Sequence, residues 1–489
     1  MAMALAQSTL NDLAPDVVHP GYDRAGLRPG ILHVGIGNFH RAHMAWYLDR
    51  LFAQGEGHDW ALIGAGVRPG DALMREKLQK QDWLTTLVEL DPKGLNARVI
   101  GSMVDFAKVE PQAVIAAMSD PAIRIVSLTI TEGGYYVDAT TGGLDTDHPD
   151  IAHDAKGPAL PRTVFGMILS ALRNRRKAGV APFTVMSCDN LPENGHVCAR
   201  TVIGLAGLSD PAFANWVQEN VAFPNSMVDC ITPATSDRER ALVRDSFGIE
   251  DPVPVVCEPF RQWVLEDNFP QGRPPLEMVG AEFVADVSRH ELMKLRILNG
   301  GHAAIAYPSA LLGHHFVHDA MADPQIEAWL RALEIREIIP TLTPIEGVGY
   351  GDYLELIVDR FANPKIGDTI ARLCLDGSNR QPKFILPTVQ DALADDRAID
   401  GLAQEIAFWC RYCERTDEQG QEIPPNDDNH DVLREFALAS RRNPVAFLGN
   451  RTVFGPLADD TRFQEAFARK LTLLYEQGTR AALDTYLAG

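Results

Sequence analysis

Lys294, Asn299 and His302 put three polar side chains into the stretch Glu291–His302, which otherwise reads as a buried helix. Leu292, Met293, Leu295, Ile297, Leu298, Ala303, Ala304, Ile305 and Ala306 surround the helix axis instead of forming one stripe, the pattern of a helix covered on all sides. A polar group in such a place needs a reason. At roughly 100° per residue from Lys294, His302 falls near roughly 80° and Asn299 near roughly 140°, so all three can line one wall. A lysine stripped of water loses affinity for its proton and can act as a general base. The alternative is a salt bridge to Glu291 one turn away, with the lysine stem packed on apolar neighbours. Taken alone, the segment leaves both open.

A second chemical signal stands near the N-terminus, where Gly35-Ile36-Gly37-Asn38-Phe39-His40 follows the strand-like run Gly30–Gly35 and precedes a helical one. Glycines at a strand-to-helix turn let the backbone approach a pyrophosphate, whose charge meets the amides of the helix start. The third glycine of the dinucleotide fingerprint is replaced by His40, and a tight turn alone would also want two glycines. Thr131-Glu132-Gly133-Gly134 closes another strand-like run, at the sheet edge where nicotinamide or its ribose would lie. Beyond the strand-like run Trp60–Ala65 the first carboxylate is Asp71, placed to accept from ribose hydroxyls, while Arg68 could attract a 2′-phosphate. NAD is favoured over NADP.

The elements that must hold these residues follow from periodicity. Gly30–Gly35, Trp60–Ala65, Ile123–Thr131 and Phe183–Ser187 read as strands, the third with the continuous apolar run of a central parallel strand. Thr163–Leu172 reads as a helix, and the basic residues that follow suit its C-terminus. After about residue 285 the texture becomes helical, over Glu327–Ile338, Asp396–Tyr412, Asp431–Ser440 and Thr461–Leu487. The expectation is an α/β Rossmann-type NAD-binding domain over residues 1–285 and a mostly α-helical substrate and catalytic domain over 286–489.

Composition narrows the classes. The chain has 489 residues, 46% of them hydrophobic and 23% charged, which suits an ordinary globular protein of two domains. A formal charge of -21 argues against nucleic acid or an anionic membrane as partner and is compatible with a monomer. No apolar run is long enough to span a membrane, and the first residues lack a signal-peptide pattern. Seven scattered cysteines point to free thiols in the cytoplasm. Cys410-x-x-Cys413 lies in a buried-helix context with no second pair at zinc spacing, so no metal site is expected.

Five strings in this order resemble the polyol-specific long-chain dehydrogenases. They are Gly35-x-Gly37-Asn38-Phe39-His40-Arg41-Ala42-His43, Thr129–Tyr135, Ser187–Gly195, Phe223–Asp229 and Lys294–His302, and the similarity runs from about residue 20 to 470. The resemblance implies metal-independent hydride transfer between a secondary alcohol and NAD, with D-mannitol oxidised to D-fructose and D-arabinitol or D-sorbitol as further substrates. It makes Lys294 the general base, Asn190 and Asn299 the donors that stabilise the alkoxide, and His302 the group that orients substrate hydroxyls. Asp229, Arg372 and Arg380 become substrate contacts, with Glu291 beside the lysine. Gly35, Gly37, Asn38, Phe39, Asp71, Thr131, Glu132 and Gly133 become cofactor contacts.

These roles are chemically coherent. An amine of lowered pKa can take the carbinol proton, and amide donors stabilise the oxygen as an oxyanion hole does. Two positions depart from the family pattern: Gly70-Asp71 stands where two adjacent acids are usual, and Arg380 where a lysine is usual. Within the superfamily the alternative is a hexuronate reductase, resembling fructuronate reductase, whose substrate carboxylate would need a cationic clamp such as Arg372 or Arg380. A non-catalytic nucleotide sensor is a third reading, which would have no use for a base and two oxyanion donors.

Overall fold

The computed structural model describes residues 2–138 and 141–489, and the chain divides into one unit ending at Ser288 and one beginning at Arg289. In the first unit five parallel strands are β1 (Pro29–Val34), β2 (Ala61–Ala65), β3 (Met103–Phe106), β4 (Ile125–Leu128) and β5 (Thr184–Ser187). They lie in the order β3-β2-β1-β4-β5. Successive crossovers run one way from β1 to β3 and the other way through β4 and β5, so the switch point falls between β1 and β4. Their C-terminal ends are level, Val34 opposite Leu128, and ligands of open α/β sheets bind at that edge.

Both faces of the sheet are covered. Ile31, Ile125 and Met186 enter one apolar cluster, whereas Leu32, Val34, Val126, Leu128 and Val185 enter the other. Period-two alternation with apolar residues on both sides is what a buried parallel sheet requires. This is the Rossmann-type domain that the alternating sequence pattern predicts.

Three details differ from the sequence reading. The strand expected over Ile123–Thr131 is ladder-paired only over Ile125–Leu128, because Thr131 takes a left-handed φ of 69° and Glu132–Tyr135 form a 3-10 turn. An antiparallel hairpin of Thr85–Asp91 with Gly94–Ile100 escaped periodicity, since its turn at Pro92-Lys93 lacks the usual Asn-Gly or Asp-Gly signal. A further strand, β6 (Ser226–Asp229), pairs antiparallel with Gln262–Glu266 outside the main sheet.

The helix after the glycine turn is interrupted. α1 (Asn38–Ala42) stops at His43, where φ is -116° and ψ -93°, and α2 (Met44–Ala53) begins afresh. His40 of α1 stacks on His33 of β1 with ring centroids 3.5 Å apart. An aromatic stack thus makes the helix-to-sheet contact that the missing third glycine would make by close approach. His33 is held by the hydroxyls of Ser127 and Thr129, each at 2.8 Å.

The second unit is mainly helical, and among the described residues every named strand precedes it. Its α-helices include α3 (Gly300–Leu311), α4 (Pro324–Leu333), α5 (Tyr350–Phe361), α6 (Asp400–Tyr412) and α7 (Thr461–Ala488). Trp329, Trp409, Phe408, Phe447 and Phe467 fill its core. α6 and α7 pack closely, because at Gly401 any Cβ would lie 2.6 Å from Tyr486 and Leu333. The helix expected over Glu327–Ile338 is α-helical only to Leu333 and continues as a π-turn from Glu334. α7 is broken at Gly478, whose φ is 81°. Cys410 and Cys413 are buried free thiols, as the apolar context of that pair predicts.

Burial holds the His33 imidazole down to about 3 and pushes His40 well below the ordinary histidine range. Both rings are neutral in the fold, whereas the unfolded chain binds protons there once pH drops below about 6.5. Stability therefore declines as pH falls from about 6.5 toward 3, His33 alone contributing about 2 kcal/mol of loss by pH 5. Urea-unfolding midpoints between pH 7 and pH 5 should show this decline, with a shallower slope in His33→Gln.

Candidate active site

Gly35 and Gly37 play different parts at the switch point. Gly35 has φ 101°, and a Cβ there would fall 2.0 Å from the Thr129 carbonyl oxygen, so the residue must be glycine for the turn to pack. Gly37 is exposed and has nothing within 4 Å of a Cβ position. It leaves open space before the first amides of α1, as a backbone that meets a pyrophosphate should. A dinucleotide fits this cradle.

Asn38 is used inward. Its side-chain amide donates to the Pro233 carbonyl and the Thr235 hydroxyl, both at 2.9 Å, and its oxygen accepts from Arg41. What Asn38 can offer a cofactor is its backbone. Phe39 stacks on His43 at 4.8 Å. Beside them a cavity of about 590 Å³ is lined by Asn38, Phe39, Met74, Lys77, Thr235 and Arg240 among others.

Asp71 also shapes its own loop. Its Oδ2 accepts from the amides of Val67 and Arg68, each at 2.9 Å, which closes the loop after β2. One carboxylate oxygen is thereby engaged, so Asp71 does not offer both to a ribose, and Arg68 stands exposed beside it.

The Thr131–Gly133 turn and Asn190 are organised by Asp189. This buried carboxylate accepts from the amides of Ile130 (3.0 Å) and Thr131 (2.8 Å) and from the Tyr135 hydroxyl (2.7 Å). The left-handed Thr131 is held by those bonds, and Glu132 and Gly133 remain exposed at the sheet edge. Asn194, fully buried, then bridges the Asp189 carbonyl to both backbone groups of Ser226. The loop carrying the exposed Asn190 is pinned at both ends and tied to β6, at whose end the buried Asp229 lies.

In the second unit the helix expected through Lys294 is not an α-helix. Lys294–Asn299 form a π-turn, in which the Gly300 amide reaches back to the Leu295 carbonyl as well as that of Ile297. The α-helical wheel angles therefore do not hold between Lys294 and His302, since each π-turn residue advances by a smaller angle. Lys294 is only 8% exposed, while Asn299 and His302 are partly buried. π-Turns inside helices concentrate at functional sites.

His302 stacks on Phe361 of α5 with centroids 4.0 Å apart. Desolvation first, and then the cations Arg372, Arg360 and Arg380, push its imidazole well below the ordinary range. It is a neutral ring. The structure brings Arg372 and Arg380 near it: Arg372 is ion-paired with Asp368, and Arg380 donates from Nη1 to the carbonyls of Arg372 and Leu373. Glu291 stands one residue pair before the π-turn, partly buried.

Two family models match this chain, the mannitol dehydrogenase Rossmann domain over residues 29–278 and the mannitol dehydrogenase C-terminal domain over 286–475. The chain belongs to the mannitol dehydrogenase family. A mannitol 2-dehydrogenase of Cereibacter sphaeroides is 56% identical over 96% of this chain and 99% of its own. Among solved structures, a ternary complex of Pseudomonas fluorescens mannitol 2-dehydrogenase with NAD and D-mannitol is similar at 42% identity and TM-score 0.85. It covers 99% of this chain and 100% of its own. A substrate-free D-sorbitol dehydrogenase is similar at 36% identity and TM-score 0.93, over 98% and 100%.

Sequence reasoning missed several residues that support the candidate residues within each unit. Phe361 and Arg360 lie about sixty positions beyond His302 on another helix, where no local pattern marks them. Asn194 lies near the end of the Ser187–Gly195 segment, and its total burial is a signal that only the fold supplies. Asp189, beside Asn190, anchors the neighbouring turn.

The two glycines should separate by experiment. Gly35→Ala should lower stability by about 2 kcal/mol or more, through strain and the clash with Thr129. Gly37→Ala should leave the urea midpoint within about 0.5 kcal/mol while weakening NADH binding about tenfold or more, read by fluorescence titration.

Proposed function

We propose that this enzyme oxidises D-mannitol to D-fructose with NAD, using Lys294 as general base and no metal, and that D-arabinitol and D-sorbitol are further substrates. The observation that carries this reading is the buried π-turn, which sets Lys294 and Asn299 on one short segment with the neutral His302 just after it. An alcohol donates hydride readily only as its O–H proton departs. A lysine amine in a desolvated setting takes that proton near neutral pH.

Asn299 and Asn190 are proposed as amide donors to the oxygen as negative charge develops on it. His302, held neutral, gives one ring N–H and one acceptor nitrogen, which suits neutral hydroxyls. Asp229 and Arg372 contact the remaining hydroxyls, Arg380 borders them, and Glu291 neighbours the lysine. NAD, when bound, supplies the hydride acceptor, with Gly35, Gly37, Asn38, Phe39, Thr131, Glu132 and Gly133 forming its cradle and Asp71 its ribose neighbour.

The state of the cations favours a polyol over a uronate. A carboxylate substrate wants an available guanidinium fork, whereas Arg372 pairs through Nε and Nη2 with Asp368 and Arg380 commits Nη1 to two backbone carbonyls. The half-engaged Asp71 and the exposed Arg68 support a preference for NAD that is incomplete. Among the described residues no group of three or more His, Cys, Asp or Glu is placed to hold a metal ion, and no helix is long and apolar enough to cross a membrane. The buried free thiols and the charge of -21 support a cytoplasmic, monomeric enzyme with no nucleic-acid partner.

Lys294→Ala should lower kcat for mannitol oxidation by roughly 10²–10⁴-fold while leaving NADH affinity within about twofold, because the lysine acts in proton transfer. Wild-type turnover in that variant would end the mechanism. A panel of mannitol, sorbitol, arabinitol, xylitol and galactitol with NAD and NADP, and of fructose and fructuronate with NADH, assigns the substrate. Turnover of fructuronate alone would establish a hexuronate reductase instead.

A further inference from the structure

Glu334 is the first residue of the π-turn Glu334–Ile338, fully buried, and among the described residues neither of its carboxyl oxygens has a hydrogen-bond partner. A carboxyl in this condition is among the costliest groups a core can hold. Its surroundings are specific. Oε1 lies 3.4 Å from the position a Cβ on Gly301 would take, beside Leu330 and 3.6 Å from that position to the Phe361 ring. Phe361 is the ring that stacks on His302. Gly301 is the second residue of α3, directly after the π-turn that carries Lys294 and Asn299.

Burial alone pushes the Glu334 carboxyl well above the usual carboxylate range, so it is a neutral acid with one hydrogen to donate. The backbone next to it has a matching need. The Gly300 amide at the end of Lys294–Asn299 reaches five residues back to the Leu295 carbonyl as well as three back to that of Ile297, whereas an α-helix such as α3 pairs four back; by geometry a return from five-back to four-back pairing passes over one carbonyl acceptor. A buried carbonyl without a donor is itself destabilising.

We propose that Glu334 is a positioning residue for the Lys294–His302 segment: its carboxyl is the reserve donor for the backbone acceptor skipped at the end of the π-turn, engaged as the segment settles around substrate. The group does not touch substrate. It acts through the placement of Lys294, Asn299 and His302, and the proposal rests on their assignment to the reaction.

Three variants test it, each assayed for mannitol oxidation and for thermal stability. Glu334→Leu fills the same space without a donor, so it should melt at or above the wild-type temperature yet lose about tenfold or more in kcat, with KM for NAD unchanged. Glu334→Gln keeps a donor and no charge, and should retain kcat within about threefold. Lys294→Ala is run in parallel. A stable Glu334→Leu with wild-type kcat overturns the positioning role, and so does a Glu334→Gln as impaired as the leucine variant. If Glu334→Leu fails to fold, the comparison of Glu334→Gln with Glu334→Asp decides, since the shorter acid cannot reach the same acceptor; equal kcat in the two overturns the proposal. If Lys294→Ala retains turnover, the general-base reading falls regardless of what the Glu334 variants do.

Discussion

A lysine amine that leaves water must be compensated by its surroundings or give up its proton, and that constraint organises the second unit. Lys294 is buried among helices whose core is filled by Trp329, Trp409 and several phenylalanines. The same removal of water keeps His302 neutral beside three arginines. One physical condition, exclusion of solvent, thus sets a buried lysine and a neutral hydrogen-bonding ring close together in sequence. The π-turn places them. It runs directly into α3 at Gly300 and Gly301.

The first unit meets a different constraint. A sheet whose crossovers reverse between β1 and β4 leaves a crevice at their ends, and every loop leaving that edge must be held open for a ligand. Here the holding is done by buried polar groups: His33 stacked under His40, Asp189 gathering two amides and a tyrosine hydroxyl, and Asn194 bridging to Ser226. Each is fully or nearly solvent-free, where such bonds are strongest and most costly to leave unmade. The exposed Gly37, Gly133 and Asn190 can then present backbone and amide groups without having to fold the loops themselves.

Legibility in the sequence tracked the range of the interaction concerned. The strands at β1, β2 and β5 and the helices of the second unit are visible because burial repeats every two or every three to four residues. The Thr85–Ile100 hairpin was not visible, since its turn chemistry is Pro92-Lys93. The strand ending at Leu128 looked longer because Thr129, Ile130 and Thr131 continue the apolar, β-branched pattern, and it is the Asp189 carboxylate, about sixty residues on, that bends Thr131 out of the sheet.

By itself the sequence determined the class of chemistry and the order of a Rossmann-type and a C-terminal domain, because ordered strings such as Gly35–His43 and Lys294–His302 specify atoms and local backbone. Tertiary structure alone decided how those atoms are presented. The π-turn under Lys294, the Phe361 ring on His302, the partial engagement of Asp71 and the unpartnered Glu334 against Gly301 all arise from contacts between segments distant in the chain or from helix geometry. Periodicity carries no record of such contacts. Packing sets them, because side chains from separate elements compete for the same dry volume and the backbone yields where a glycine lets it.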